Sequence, residues 1–203
     1  MIIIVDIFAS TVRWSIGFSI GCALALAIAS ISTLSMKIHL YSTYIFDFLR
    51  SIPILAIVPL VLYYAGPFES SKVFIISYAT FFPVLVSILM RVRVGSEERL
   101  RFFTGLNLDK RTFWRAAIMP YIFEGLRSGI VVSIGIAWVS VVAAELLGTY
   151  SDGVLRGGLG YRIQLMYNAG DISGMWLYVL LFGFLGFASS SVAARLTRSR
   201  QTV

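Results

Sequence analysis

Apolar positions along this chain run in long blocks, and polar positions fall into short islands between them. Five blocks stand out: Trp14 to Ile31, Ile52 to Ala65, Val73 to Met90, Ile122 to Leu147 and Met175 to Ala194. The second is short and holds Pro53 and Pro59; the amphipathic stretch Tyr44 to Leu49 is expected to extend it. The third contains Pro83. Blocks of about 18 or more apolar residues read as membrane-spanning helices. Helix is forced there, because a lone segment in lipid must satisfy its own backbone hydrogen bonds. The expectation is an all-α polytopic membrane protein with about five transmembrane helices, forming one domain over residues 1–203. No internal repeat or low-complexity linker divides it.

Composition agrees: 58% of the 203 residues are hydrophobic and 13% are charged, against roughly 45–50% and 25% in soluble domains. The net charge of +7 matters through its placement. Arg91, Arg93, Arg99, Arg101, Lys110, Arg111 and Arg115 crowd the connection between the third and fourth blocks. Lys37 and Arg50 flank the first connection, and Arg195, Arg198 and Arg200 follow the last block. Together these hold twelve of the 17 Lys and Arg. In a five-span chain the three regions share one side, and the positive-inside rule puts the N-terminus outside and the C-terminus in the cytoplasm. This distribution speaks against nucleic-acid binding. The opening MIIIVDIF is apolar but short, carries Asp6 and lacks a basic lead, unlike a cleaved signal peptide.

Catalytic and metal chemistry have few residues to work with. The chain has one Cys, Cys22, and one His, His39, so no Cys/His metal cluster is expected. A membrane-embedded enzyme would need paired catalytic groups at membrane depth. No Gly-x4-Gly-Lys-Ser/Thr phosphate loop occurs in the sequence. No cofactor is expected on this chain.

The most informative polar segment is the cytoplasmic loop, about 91–120. Leu100, Phe102, Phe103 and Leu106 are spaced for one helical face. A break is expected after Asn107, with Asp109 as the N-cap of a second short helix, Lys110 to Met119. Phe113, Trp114 and Ala117 give that helix an apolar side, and Pro120 opens the next span. One reading is a docking element just under the bilayer; the plainer one is a basic helix lying on anionic lipid.

Several motifs occur in order. Phe48-Leu-Arg-Ser-Ile-Pro-Ile-Leu-Ala-Ile-Val-Pro-Leu leads into the second block, and Ser71-Lys72 precedes Phe81-Phe82-Pro83-Val84-Leu85. Met119-Pro120, Gly125-Leu126-Arg127, Ala137-Trp138-Val139 and Val142-Ala-Ala-Glu-Leu-Leu-Gly148 follow, then Gly158-Leu159-Gly160-Tyr161. Through these, nearly the whole chain resembles the permease subunits of bacterial ATP-binding-cassette importers, nearest the group serving nitrate, bicarbonate, taurine and alkanesulfonates. The resemblance implies a multi-pass protein of the bacterial cytoplasmic (inner) membrane that forms the pathway for a small solute, possible classes being an oxyanion or a sulfonate. It implies ABC ATPase subunits, which carry ATP and Mg, a second permease that is either a copy or a different chain, and an extracytoplasmic solute-binding protein. It assigns ATPase docking to Asn107, Leu108, Asp109, Lys110, Arg111, Thr112, Phe113, Trp114 and Arg115.

The chain departs from the family's docking pattern, Glu-Ala-Ala-x3-Gly-x9-Ile-x-Leu-Pro. Arg101, Phe102 and Phe103 stand at the Glu-Ala-Ala positions, Asn107 at the Gly, and Ala117 and Met119 at the Ile and Leu. Asn tolerates a left-handed turn, but the acidic residue is lost. A divergent half of a heteromeric permease, whose partner keeps the regular loop, is one expectation. Family members usually carry a further N-terminal span, whereas Met1 to Thr11 alone precedes the first block here; a naturally short form and a start set too late both remain open.

Glu145, in the outer half of the fourth block, has two readings: contact with substrate or gating of the pathway, or an internal hydrogen bond to Arg127, Ser140 or a neighbouring helix. Trp138 lines the pathway or packs the interior. Pro53 and Pro59 kink a pathway-lining helix or fit a bend. Gly157-Gly158-Leu159-Gly160 is expected to open a short re-entrant helix at the outer mouth, with Gly158, Leu159, Gly160 and Tyr161 meeting the binding protein, or else to be a surface loop. Gly17 and Gly21 form a helix-packing Gly-x3-Gly. The rival classes are a secondary transporter or channel, which leaves the basic aromatic loop without a role, and a structural subunit of a membrane complex.

Overall fold

The computed structural model describes residues 2–33, 45–46, 48–103, 112, 114–147 and 157–198. Among the described residues, the longer α-helices are, in order, α1 (Ile2–Ser32), α2 (Ile54–Ala65), α3 (Glu69–Phe103), α4 (Met119–Leu147), α5 (Leu159–Ala169) and α6 (Ile172–Arg198). Among the described residues, four segments are long and apolar enough to cross a membrane, centred on α1, α3, α4 and α6. There is no strand among the described residues.

α3 is the central helix, packed by α1 on one side and α4 on the other. Glycines make both approaches possible. A Cβ on Gly17 would sit 2.7 Å from Ile76 Cβ, and one on Gly21 would sit 2.6 Å from the Ser77 carbonyl oxygen. Gly125 and Gly129, a second Gly-x3-Gly, bring α4 equally close to Ile88 and Val84. Where lipid is as apolar as the protein interior, such close backbone approach is what drives helices together.

These contacts fix direction. Arg13, Gly17 and Gly21 of α1 meet Glu69, Ile76 and Ser77 of α3 in ascending order, so α1 and α3 run parallel. The chain between them must therefore return through the membrane. α2 supplies only part of that crossing: its 12 residues reach about 18 Å, against a hydrocarbon core of about 30 Å. Residues 48–50 form a separate helical piece, and the chain turns at 51–53 before α2 begins. The second span is thus a broken one, with Pro53 at the break, because proline disfavours helix in the residue before it. The first span is longer than its apolar block: α1 starts at Ile2, twelve residues before Trp14. α4 runs back against α3, and α6 against α4, giving five crossings with the chain's two ends on opposite sides.

A π-helical turn, Trp114–Ile118, leads directly into α4. The expected short helix Lys110 to Met119 falls partly outside the described residues; within them this turn stands in its place. In an α-register the Pro120 ring would collide with the Ala116 carbonyl, and a widened turn opens that position.

Candidate functional site

At the outer end of the bundle, α1, α3, α4 and α5 bring together three carboxylates and three cations. Asp6, Ser10 and Arg13 share one face of α1. The Arg13 guanidinium donates to Glu69 Oε2 and Oε1 at 2.6 and 2.8 Å, to Glu145 Oε1 at 2.7 Å and to the Gly157 carbonyl at 2.7 Å. Lys72 Nζ lies 3.1 Å from Glu69 Oε1. Asp6 accepts from the Gly158 amide at 3.1 Å and from Arg162 Nε at 2.8 Å. Ser10 accepts from the Leu159 amide and donates to the Glu145 carboxylate, and the Gly160 amide donates to Glu145 Oε2, each at 2.9 Å.

Asp6, Arg13 and Glu145 are each 1% exposed. Buried charges at membrane depth persist only when paired and hydrogen-bonded, and both conditions are met here. Glu145 is therefore held by Arg13, Ser10 and Gly160, not by Arg127 or Ser140. The Ser140 hydroxyl donates instead to the Ile136 carbonyl at 2.9 Å.

The glycine-rich turn is the counterpart of this network. Gly157 and Gly158 have φ of 107° and 139°, which side chains with a Cβ rarely adopt. A Cβ on Gly158 would lie 2.6 Å from the Glu145 carboxylate carbon, and one on Gly160 would lie 2.8 Å from Glu145 Cβ. α5 does begin at Leu159, as a short helix tucked into the outer end. Gly158, Leu159 and Gly160 are buried, however, with their amides spent on Asp6, Ser10 and Glu145. They anchor α5 internally; of the four residues, Tyr161 alone is partly exposed.

Trp138 packs in the interior. It stacks on Trp14 at 5.3 Å, meets Phe182 edge-on at 6.0 Å, and donates from Nε1 to Ser189 Oγ at 2.9 Å. Pro59 is exposed on α2.

Pro53 lies elsewhere, at a cavity of about 410 Å³ between the start of α2 and the middles of α3 and α4. Arg50, Tyr78, Phe82, Ser87 and Val132 also line it. The Tyr78 hydroxyl is 3.4 Å from the Leu49 carbonyl, spanning the break in the second crossing.

At the inner end, Trp114 is half-buried against the core formed by Ala29, Leu89 and Ile118, with its Nε1 3.4 Å from Thr33 Oγ1. That side chain belongs to the bundle wall. Thr112 and Arg115 are exposed. Asn107, Leu108, Asp109, Lys110, Arg111 and Phe113 lie outside the described residues. Arg91 and Glu124 pair across α3 and α4 at 2.9 Å, both well exposed.

Sequence comparison places this geometry. The family described as binding-protein-dependent transport system inner membrane component matches residues 21–201. The chain belongs to that family. Among curated proteins, it is 30% identical over 186 residues to the nitrate import permease protein NrtB of Synechocystis, covering 90% of this chain and 64% of the relative. It is 27% identical over 194 residues to the bicarbonate transport system permease protein CmpB of Synechococcus elongatus, covering 94% and 66%. It is 28% identical over 189 residues to SsuC of Bacillus subtilis, a protein named for aliphatic sulfonates transport, covering 93% and 66%. The chain thus spans about two thirds of the length of these relatives. As an inner membrane component it is a multi-pass membrane protein, and the five crossings fit that description.

Two groups of site residues escaped sequence reasoning. Asp6, Ser10 and Arg13 are spaced by four and three residues in an otherwise apolar stretch, which already marks one helical face. Gly125 and Gly129 repeat the spacing of Gly17 and Gly21.

Proposed function

We propose that this chain is a permease subunit of an ATP-binding-cassette importer that carries a small anion, an oxyanion or a sulfonate, across the cytoplasmic membrane. The match to the family over residues 21–201 carries this reading. Likeness to permeases named for nitrate, bicarbonate and sulfonates supports the substrate class. ATP is hydrolysed on a separate subunit, since this sequence has no phosphate loop of its own. A second permease, a copy or a different chain, completes the pathway.

Coupling runs through the basic aromatic segment Asn107 to Arg115. A rigid element seated in a cleft of the ATPase turns closure of the ATPase pair into a tilt of α3 and α4. The solute-binding protein meets the outer end, where α5 and the turn into α6 are exposed. Glu145 serves there by holding α5 in place rather than by touching solute, because its acceptor positions are filled by Arg13, Ser10 and Gly160.

The test is affinity purification of the tagged chain in mild detergent, beside a variant carrying Arg111→Glu and Arg115→Glu. Recovery of an ATPase with the wild type and its loss from the variant is the expected result. Absence of any ATPase under several mild detergents would overturn the reading.

A further inference from the structure

We propose that the slot between the outer ends of α2 and α3 seats a phospholipid of the outer leaflet, with the Ser71 hydroxyl donating to an acyl-ester carbonyl and the acyl chain lying between the two helices. The seat requires only that the chain spans a membrane, and does not depend on the importer reading. Leu60, Val61, Tyr64 and Ala65 of α2 line the slot on one side, and Ser71 and Phe74 of α3 on the other. It holds about 560 Å³, within the range of about 300–1,000 Å³ typical of small-ligand sites. Just beneath, Val58, Ile75, Ala143 and Ala144 join α2 to α3 and α4 through a small buried core, which fixes the two walls relative to each other.

Ser71 says what the slot takes. It is 2% exposed, and its buried hydroxyl has no hydrogen-bond partner among the described residues. Its neighbours on α3 turn back onto their own backbone: Ser77 donates to the Val73 carbonyl at 2.8 Å and Thr80 to the Ile76 carbonyl at 2.9 Å. At Ser71 the Phe68 carbonyl already accepts the Ser71 and Lys72 amides, at 3.1 and 3.3 Å. A buried donor without an acceptor is costly and uncommon. A ligand with a long apolar body and a carbonyl at one end fills the slot and satisfies the hydroxyl.

Depth selects an ester lipid among such ligands. The span Glu69–Gly95 has 27 residues, about 40 Å of helix, against a hydrocarbon core of about 30 Å. With the surplus shared between its two ends, Ser71 falls within about 2 Å of the hydrocarbon edge, the level of the glycerol esters. Phe74 lies about 4–5 Å deeper on α3, and Leu60 about 7–8 Å deeper than Ala65 on α2, in the acyl layer. Tyr63 and Tyr64, both exposed, stand at the outer end of α2, as aromatic residues do at a membrane–water boundary.

The experiment uses the complex purified through the tagged chain in a maltoside detergent, which carries no ester carbonyl. Native mass spectrometry follows the most tightly held lipid in titrations with dioleoyl phosphatidylglycerol and with the matching diether lipid, which lacks both carbonyls. The wild type should bind the diester about fivefold more tightly than the diether, or better. Ser71→Ala should bring the diester down to the affinity of the diether. Ala65→Trp, which fills the slot from an exposed position, should weaken both by about tenfold or more. Phe184→Trp, on an exposed face of α6, should change neither.

Equal affinity of the wild type for the two lipids would overturn the seat, as would unchanged binding in Ala65→Trp. So would loss of a second permease from Ala65→Trp with no lipid displaced, which would make the slot a contact between subunits. ATPase recovery in the same samples reports separately on the importer reading.

Discussion

The Arg13 guanidinium donates to Glu145 Oε1 at 2.7 Å across 132 residues of sequence, with both side chains 1% exposed. Arg13 also holds Glu69 with two nitrogens, so the two partners are not equivalent. Removing Arg13 leaves the buried Glu145 carboxylate without its cation and Glu69 with Lys72 in place of two cations, whereas removing the Glu145 charge leaves Arg13 paired with Glu69. Breaking a buried pair from one side costs about 3–5 kcal/mol. Arg13→Met should reach that range or exceed it, and Glu145→Gln should cost less. In thermal unfolding in detergent, the double variant should lose less than the two single losses added together. Additive losses would show that the pair is not coupled.

The turn into α5 has its own signature. Gly158→Ala must place a Cβ at φ 139° against the Glu145 carboxylate, so a loss of about 2–3 kcal/mol or more is expected. Gly170 caps α5 in the left-handed region at φ 71° with open space around it. Gly170→Asn should therefore cost only a few tenths of a kcal/mol, since Asn tolerates that conformation. Equal losses at the two glycines, measured by the same unfolding assay, would contradict the clash.

Much of the fold was legible because lipid demands long apolar runs, and the blocks ending at Ile31, Met90, Leu147 and Ala194 all became helices. The first helix begins well before its apolar block: α1 carries Asp6 and Arg13 inside, neutralised by Arg162, Glu69 and Glu145. That pairing is set in three dimensions and leaves no local mark. Which face of α1 is inward was also hidden from hydrophobicity, because lipid and core are both apolar. The small residues Gly17, Gly21, Ala25 and Ala29 carried that information instead. Glu145 was found by its isolation in an apolar span, but its partners were not. Arg50 was read only as a topological charge, since the cavity it lines is made by residues from three helices.

Trp114 and Arg115 are adjacent in sequence and differ in what they touch, which separates structure from docking. Trp114→Ala removes a half-buried ring from the inner core and should cost about 2 kcal/mol, somewhat below the 3–5 kcal/mol of a fully buried aromatic. Arg115→Glu changes an exposed charge and should leave the unfolding midpoint within about 0.5 kcal/mol of wild type. It should nevertheless weaken ATPase recovery. Loss of recovery in Trp114→Ala alone, with Arg115→Glu unaffected, would move the docking surface away from this face.

The parallel run of α1 and α3 makes a sharp claim about sidedness. If the segment between them crosses the membrane, Asp171, exposed in the turn between α5 and α6, faces outside, while Arg115 and Arg195 face the cytoplasm, where the positive-inside rule puts the basic excess. In a chain with Cys22 replaced by Ala, a cysteine at Asp171 should react with a membrane-impermeant maleimide in intact cells. Cysteines at Arg115 and Arg195 should react only after the membrane is opened. Were the segment to turn back without crossing, α1 and α3 would be forced antiparallel, and Arg13 could not reach Glu69 at 2.6 Å. Labelling of Arg115 and Asp171 from the same side would refute the crossing by α4, on which the count of five crossings depends.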